Sequence, residues 1–361
     1  MKKVLVWGTG FIANMVFQQC RTLDRYEVIG AVDNDKAKWG RLFYGMTIAS
    51  PDSLAEMETD IIVILTDKYD EIKSQIESLY PNVMAKIENK NFFYKESILH
   101  RYKNNNDPEI DKVLEHIKNN GLDVFNYPFT AKYKARKNQV WKDEASSLYF
   151  VLHNGKRMYF SRKFKSEKEV NDYYNAISLE QDEQSPHRYL SGEYCVKEGD
   201  VVLDVGVAEG NFALDVIDKA SHVYLLEAEE EWMEALRYTF KDYMDKITFI
   251  HGYVGSYNEG KNITLDAVIT APVNFIKMDI EGNEWDALRG ATELIDKSND
   301  LKMAICSYHS DFDRELIESF MDKNKISHTY NQGYMWFPET LRQTYVSTSL
   351  NRAVIKGTKN K

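Results

Sequence analysis

Short apolar runs alternate with amphipathic stretches between residues 2 and 80. Val4–Trp7, Tyr26–Val32 and Ile61–Leu65 are near-continuously apolar, the pattern of parallel strands covered on both faces. Between and after them, Phe11–Leu23, Pro51–Met57 and Tyr69–Leu79 space their apolar residues as helices do, and Ser50 ahead of Pro51 is a helix-start signal. Strand and helix in alternation predict a doubly wound α/β unit that ends near residue 100.

Residues 101–165 change character. Asp107-Pro108 starts a short helix that Gly121 stops, and Leu148–His153 and Met158–Phe160 flank Asn154-Gly155, a hairpin signal. From Glu198 the α/β rhythm returns. Val201–Val205, Val223–Leu226, Ile247–Ile250, Phe275–Met278 and Leu301–Ser307 are expected strands. Phe212–Lys219, Glu231–Asp242, Glu284–Asp296 and Arg314–Lys323 are the intervening helices. Thr344–Thr348 and Asn351–Ile355 are expected to form an antiparallel pair that closes the sheet edge. The chain thus reads as α/β with two doubly wound units. A small N-terminal Rossmann-like unit occupies residues 1–100, a basic helical and hairpin segment bridges 101–165, and a unit with a mostly parallel sheet fills 166–361.

Composition removes several function classes. The 361 residues carry 46 Lys plus Arg against 56 Asp plus Glu, a formal charge of −10, which argues against a mainly electrostatic nucleic-acid binder. Cys20, Cys195 and Cys306 are too few and too scattered for a disulfide framework or a zinc site, so free thiols in a reducing compartment are expected. The N-terminal apolar run is too short for a signal peptide and no later run approaches a membrane span, so a cytoplasmic protein is expected. Lys132 to Lys165 holds ten Lys or Arg against Asp143 and Glu144, either a solvated face or a contact for an anionic partner.

The candidate chemistry lies at the ends of the later strands. Val201–Val205 runs into Gly206-Val-Ala208-Glu209-Gly210-Asn211-Phe212, with two glycines four apart between a buried strand and a helix. That arrangement allows a tight turn and a close ligand approach. Asp204 sits in the strand, and Glu227 ends the next one about twenty residues after Gly206, where a ribose needs a two-oxygen acceptor. A diphosphate would want G-x-G-x-x-G and free helix N–H groups. Glu209 inside the loop repels phosphate, so a ligand with an adenosine end and no phosphate fits better, and S-adenosylmethionine is one. Strand alternation places Lys277, Asp279 and Glu281 on one side at the carboxyl edge of the sheet, facing the ligand crevice. His309 ends the fifth strand, opposite Asp279, with an ordinary pKa of about 6.5 that suits a general base. Upstream, Gln181, His187 and Tyr189 in a dense polar run either form a capped turn or line the same pocket.

These residues carry a resemblance. Asp204-Val-Gly-Val-Ala-Glu-Gly210, Glu227, Lys277-Met-Asp-Ile-Glu-Gly282 with Leu288-Arg-Gly-Ala291, and Tyr308-His309-x-Asp311 resemble an FkbM-type S-adenosylmethionine-dependent methyltransferase over about residues 150–356. The Glu180–Tyr189 run resembles a subgroup found with bacterial surface-polysaccharide genes. The resemblance implies a class I methyltransferase fold and O-methylation, often of a sugar hydroxyl, with a saccharide or glycoconjugate acceptor. Ala208 stands where many methyltransferases have a middle glycine. On this reading His309 or Asp279 is the base, Lys277 and Glu281 position the acceptor, and Gly206, Gly210 and Glu227 hold the cofactor.

Gly8-Thr-Gly10-Phe-Ile-Ala13 followed by Asp33 is a G-x-G-x-x-A fingerprint for a nucleotide or nucleotide sugar. It leaves two rival functions open: a nicotinamide-dependent nucleotide-sugar oxidoreductase and a non-enzymatic nucleotide-sugar-binding adaptor. Asp279 and Asp311 are the oxygen ligands of a metal-assisted variant. No third ligand accompanies them in the sequence, so no metal site is expected. The acceptor's identity and any homo-oligomer are not legible.

Overall fold

A computed structural model describes residues 1–20, 25–83, 85–309, 313–338 and 346–360. The chain divides into two compact units, Met1–Asn126 with Gln343–Leu350 and Tyr127–Arg342 with Asn351–Lys361. Residues 101–165 are therefore shared between the units instead of forming a bridge of their own.

The first unit is built on a six-stranded sheet in the order Leu42–Phe43, Met46–Ala49, Tyr26–Val32, Lys2–Trp7, Ile61–Ile64, Lys86–Asn89. Its pairs are parallel except the small hairpin at Leu42–Ala49, which turns through left-handed Tyr44 and Gly45. Strands of two and four residues are too short to show a periodicity, which is why that hairpin was not expected. Leu5, Trp7, Val32, Ile62 and Ile64 pack against Leu54, Ile72 and Ile76. The first helix is Phe11–Cys20, and residues 21–23 of the expected span lie outside the described residues. Pro51–Glu56 is a 3-10 turn and not an α-helix: Ser50 caps Asp52 N–H, and Met57 N–H bonds back only three residues, to Leu54. Pro108–Asn120 runs from the Asp107 cap to Gly121 (φ 93°) and buries Ile110, Val113, Leu114 and Ile117.

A seven-stranded sheet organises the second unit, in the order Ile247–His251, His222–Glu227, Val201–Val205, Phe275–Met278, Leu301–Cys306, Val354–Lys359, Ser327–Tyr330. The first five strands are parallel. Val354–Lys359 is antiparallel to both its neighbours. The edge is thus closed by 354–359 with 327–330, not by the pair expected at 344–348 and 351–355. Residues 344 and 345 lie outside the described residues, and 346–348 form no strand. Ser327–Tyr330 escaped notice because it is a polar edge strand without an apolar run.

The chain enters this sheet at its centre, builds outward through His222–Glu227 and Ile247–His251, then returns to Phe275–Met278 on the other side of Val201–Val205. That reversal of strand order opens a crevice at the carboxyl ends of Val201–Val205 and Phe275–Met278. The helix expected over 284–296 is two helices, Glu284–Arg289 and Thr292–Lys297. A Cβ on Gly290 would lie 2.1 Å from Gly255 O, so the chain bends there to pass that backbone. Asp266, from another element, then accepts Glu293 and Leu294 N–H to start the second helix.

The hairpin Tyr149–His153 and Lys156–Tyr159 turns through Asn154 (φ 50°) and Gly155 (φ 83°), with Trp141–Lys142 added at its side. Three of the ten cations around it are answered from elsewhere in the chain. Lys132 pairs with Asp182 at 3.1 Å, Lys156 with Asp218 at 2.7 Å, and Arg162 with Glu234 at 2.6 Å.

Candidate active site

Gly206 (φ 79°) and Gly210 (φ 87°) end and restart regular structure around the loop after Val201–Val205. Their necessity comes from the protein itself. A Cβ on Gly206 would sit 1.8 Å from Asp279 O, and one on Gly210 would sit 2.9 Å from the Phe240 ring. The close approach expected for a ligand is made here by the neighbouring strand end and a helix. Ala208 takes a left-handed turn (φ 48°) that aims its N–H at Glu227 Oε2, 2.8 Å away, while Glu229 N–H donates to Glu227 Oε1 at 2.7 Å. Loop and second strand are thereby locked together through one carboxylate.

Asp204 and Lys277 stand opposite each other in register on adjacent strands, both buried, 3.1 Å apart. Lys277 Nζ also donates to Gly206 O. Burial works against its charge, yet Asp204 and Asp279 raise its pKa, and burial raises the Asp204 carboxyl to about 6 against the pull of Lys277. Lys277 therefore clamps the glycine loop through Gly206 O and Asp204.

Asp279 follows Phe275–Met278. Its Oδ2 accepts from Tyr189 O–H at 2.6 Å, and its Oδ1 has no hydrogen-bond partner among the described residues. Burial alone would raise this carboxyl; the charges of His309 and Lys277 and the Tyr189 hydroxyl overcome it and hold it at about 2. Next to it, His309 is buried with Nδ1 2.9 Å from Glu284 Oε1 and Nε2 3.5 Å from Asp279 Oδ1 and 3.7 Å from Glu281 Oε2. Burial opposes its charge, but Glu284, Asp279 and Glu281 outweigh that and raise it to about 9. These neighbours favour the imidazolium form of His309 at neutral pH, in which it donates and does not accept a proton. Asp311, the oxygen ligand named from sequence, lies outside the described residues.

A cavity of about 780 Å³ opens at this edge. Gly206, Ala208, Glu209, Asn211, Glu227, Tyr189, Lys277, Asp279 and Glu281 line it. Asp204, Gly210, Phe212, Gln181, His187 and His309 stand one layer behind. Gln181 clips the polar run, taking Tyr189 N–H on Oε1 and donating to His187 O. His187 supports the wall through Tyr308 O–H at 2.9 Å, and burial lowers it to about 4, so it is neutral.

Sequence reasoning gave no role to several groups the fold brings in. Glu180 lines the cavity, and burial followed by the charges of Asp279 and Glu209 pushes its carboxyl up to about 8. Tyr173 donates to Glu209 Oε2 at 2.9 Å, and Trp232 forms a wall. Burial also raises the Glu209 carboxyl. Glu284, wholly buried, fixes His309. Its only sequence signal was its place at the start of the helix expected from residue 284, two residues after Gly282. Tyr173 and Trp232 look like ordinary core aromatics on helices, and no signal marks them.

In the first unit, Gly8 and Gly10 line a separate cleft of about 440 Å³ with Asp33. Asp33 Oδ2 takes Thr9 N–H and O–H at 2.9 and 2.7 Å and Lys38 at 2.8 Å, while Oδ1 takes Asp35 N–H at 2.9 Å. Four donors on this carboxylate fasten the loop.

Residues 153–330 match the family described as Methyltransferase FkbM domain, and residues 1–87 match C2185-like, N-terminal. Among solved structures, a methyltransferase FkbM from Methylobacillus flagellatus KT is similar over 99% of this chain and 90% of its own, at 18% identity and TM-score 0.44. Precorrin-6y C5,15-methyltransferase from Geobacter metallireducens GS-15 is similar over 56% of this chain and 95% of its own, at 12% identity and TM-score 0.34. The M. jannaschii tRNA m1G37 methyltransferase is similar over 60% and 58%, at 14% identity and TM-score 0.35. No curated protein matches the chain. No described helix is long and apolar enough to cross a membrane.

Proposed function

We propose, from the methyltransferase FkbM match over residues 153–330 and the cavity built there, that the protein transfers a methyl group from S-adenosylmethionine to a hydroxyl of a saccharide acceptor. One observation carries the reading: Gly206, Ala208, Glu209, Asn211, Glu227 and Asp279 converge on a single cavity at the point where strand order reverses. The cavity's size suits a nucleoside with an amino-acid tail together with part of an acceptor. Its charge suits one as well. Glu180, Glu209, Glu227, Asp279 and Glu281 face Lys163 and Lys277, so a cationic ligand is favoured over a phosphate.

S-adenosylmethionine supplies a methyl on positive sulfur, whose C–S electron pair stays with sulfur as the acceptor oxygen bonds the carbon. Glu227 would hold the ribose hydroxyls and Trp232 would flank the base, while Glu180 and Glu209, whose carboxyls burial raises, would ionise against the ligand's positive charge. Asp279 takes the acceptor's hydroxyl proton. A carboxylate held near pKa 2 is a weak base, but the hydroxyl becomes strongly acidic as its oxygen is alkylated, so transfer late in the reaction needs no stronger one. The larger share of the acceleration comes from alignment of oxygen, carbon and sulfur, worth up to about 7–11 kcal/mol.

Calorimetric titration with S-adenosylmethionine, S-adenosylhomocysteine and NAD(H) tests the reading, followed by methyl transfer to saccharide acceptors. Micromolar binding of the first two, abolished in Glu227→Ala, is expected. Binding of NAD(H) alone refutes it and moves the chemistry to the Gly8 and Gly10 cleft.

A further inference from the structure

Gly8 and Gly10 share one motif, yet the fold itself accounts for only one of them. Gly8 is left-handed (φ 100°), and a Cβ there would lie 3.2 Å from Leu65 O. Gly10 is not left-handed, and a Cβ on it would meet no protein atom within 4 Å. Gly10 lines the cleft of about 440 Å³ in the first unit. Nothing within the protein calls for a glycine at that position, so what the missing side chain spares is room for a ligand against the backbone.

The surroundings supply the donors such a ligand would need. Gly8, Asp33 and Leu65 follow three neighbouring parallel strands, and all three line the cleft, which places it where the strand order of the first sheet reverses. Helix Phe11–Cys20 starts at its wall without an acidic first turn, and Gly10 before it has no side chain to cap it. The N–H groups of Gly10, Phe11 and Ile12 meet no acceptor among the described residues. Open N–H groups at the positive end of a ten-residue helix favour an anion. An independent observation points to an occupant as well. Trp7 also lines the cleft, is 1% exposed, and its indole N–H has no acceptor among the described residues. A buried donor in that state is costly unless something outside the protein answers it.

We propose that this cleft binds a ribonucleoside diphosphate group, the part common to nucleotide sugars and dinucleotides. The diphosphate rests on the N–H groups of Gly10, Phe11 and Ile12. Asp33 Oδ1 receives only Asp35 N–H, at 2.9 Å, so one of its two acceptor positions remains for a ribose hydroxyl. Charge separates the two glycine loops of this chain. Glu209 stands inside the loop of the second unit, whereas residues 8–20 contain no Asp or Glu. The remaining carboxylates at the cleft lean on lysines, Asp67 on Lys90 at 3.8 Å and Glu71 on Lys68 at 3.4 Å. The site is independent of the proposed methyl transfer.

The test is calorimetric titration of the full chain with ADP, GDP, UDP and CDP, then with UDP-glucose, GDP-mannose and NAD⁺. Micromolar binding of at least one diphosphate is expected, retained under saturating S-adenosylhomocysteine. The second set separates a nucleotide sugar from a dinucleotide as its source. Gly10→Ala is expected to hold the melting temperature within about 2 °C of the wild type and to weaken binding about tenfold or more. Phe11→Glu, at a residue 79% exposed, places an acid at the helix start, where it suits the fold and repels a phosphate. Its melting temperature is expected to stay or rise while binding falls about tenfold or more. Absence of binding by every probe, displacement by S-adenosylhomocysteine, or affinity unchanged in either variant overturns the site. The methyltransferase reading stands or falls separately, on S-adenosylmethionine binding.

Discussion

Replacing Gly206 by alanine tests the central joint of the second unit. The added carbon would lie 1.8 Å from Asp279 O, so the ends of Val201–Val205 and Phe275–Met278 must part by roughly 1.5 Å before non-bonded atoms come to rest. Asp279 N–H donates to Val205 O at 3.0 Å across that gap, and the bond cannot survive the displacement. Leaving its buried partners unsatisfied costs about 1–3 kcal/mol. Holding alanine at φ near 79° adds about 1–2 kcal/mol. A destabilisation of roughly 2–5 kcal/mol follows. Gly210→Ala is the comparison: its Cβ would meet a Phe240 ring carbon at 2.9 Å, and a side chain gives way more cheaply than two central strands. Guanidinium unfolding followed by tryptophan fluorescence reads both variants. A Gly206→Ala protein within about 0.5 kcal/mol of the wild type, or less affected than Gly210→Ala, refutes the argument.

Asp279→Asn is expected to lower kcat for methyl transfer by about 10²–10⁴-fold while S-adenosylmethionine binding stays within a few-fold; single-turnover kinetics decide it, and an unchanged kcat removes Asp279 as proton acceptor. In the free protein the Glu180 carboxyl is neutral below about pH 8, and a cationic ligand favours its ionised form. Binding of S-adenosylmethionine is therefore expected to release a proton and to tighten as pH rises from 6 to 8. Calorimetry in buffers of different ionisation enthalpy measures that proton, and its persistence in Glu180→Gln counts against the assignment. Glu227→Ala loses hydrogen bonds to a charged acceptor, each worth about 1.5–3 kcal/mol, so a loss of binding of at least tenfold is expected by titration. Retained affinity would mean that Glu227 only braces the loop through Ala208 and Glu229 N–H.

Local signals carried much of this protein. Asn154-Gly155 needs two left-handed residues and has the two types that accept them, so the hairpin was legible from a dipeptide. The apolar runs at Val201–Val205 and Phe275–Met278 announced buried parallel strands, and the polar residues at their ends marked the crevice. What failed locally failed for reasons of distance. The break at Gly290 answers to Gly255, and the helix restart answers to Asp266. The strand Val354–Lys359 is specified by the seat between Leu301–Cys306 and Ser327–Tyr330 more than by its own composition.

By itself the sequence determined the alternation of strand and helix, the loop between Gly206 and Gly210, and which ionisable residues reach the carboxyl edge of the second sheet, because these depend on spacing along one segment. Tertiary structure alone decided their chemical states. His309 is an imidazolium because Glu284, Asp279 and Glu281 surround it, Lys277 is a clamp because Asp204 stands in register beside it, and Glu180 holds a proton because burial and like charges oppose its ionisation. A side chain's charge in a closed site is set by desolvation and by neighbours that are remote in sequence, and both come into being only when the chain is packed.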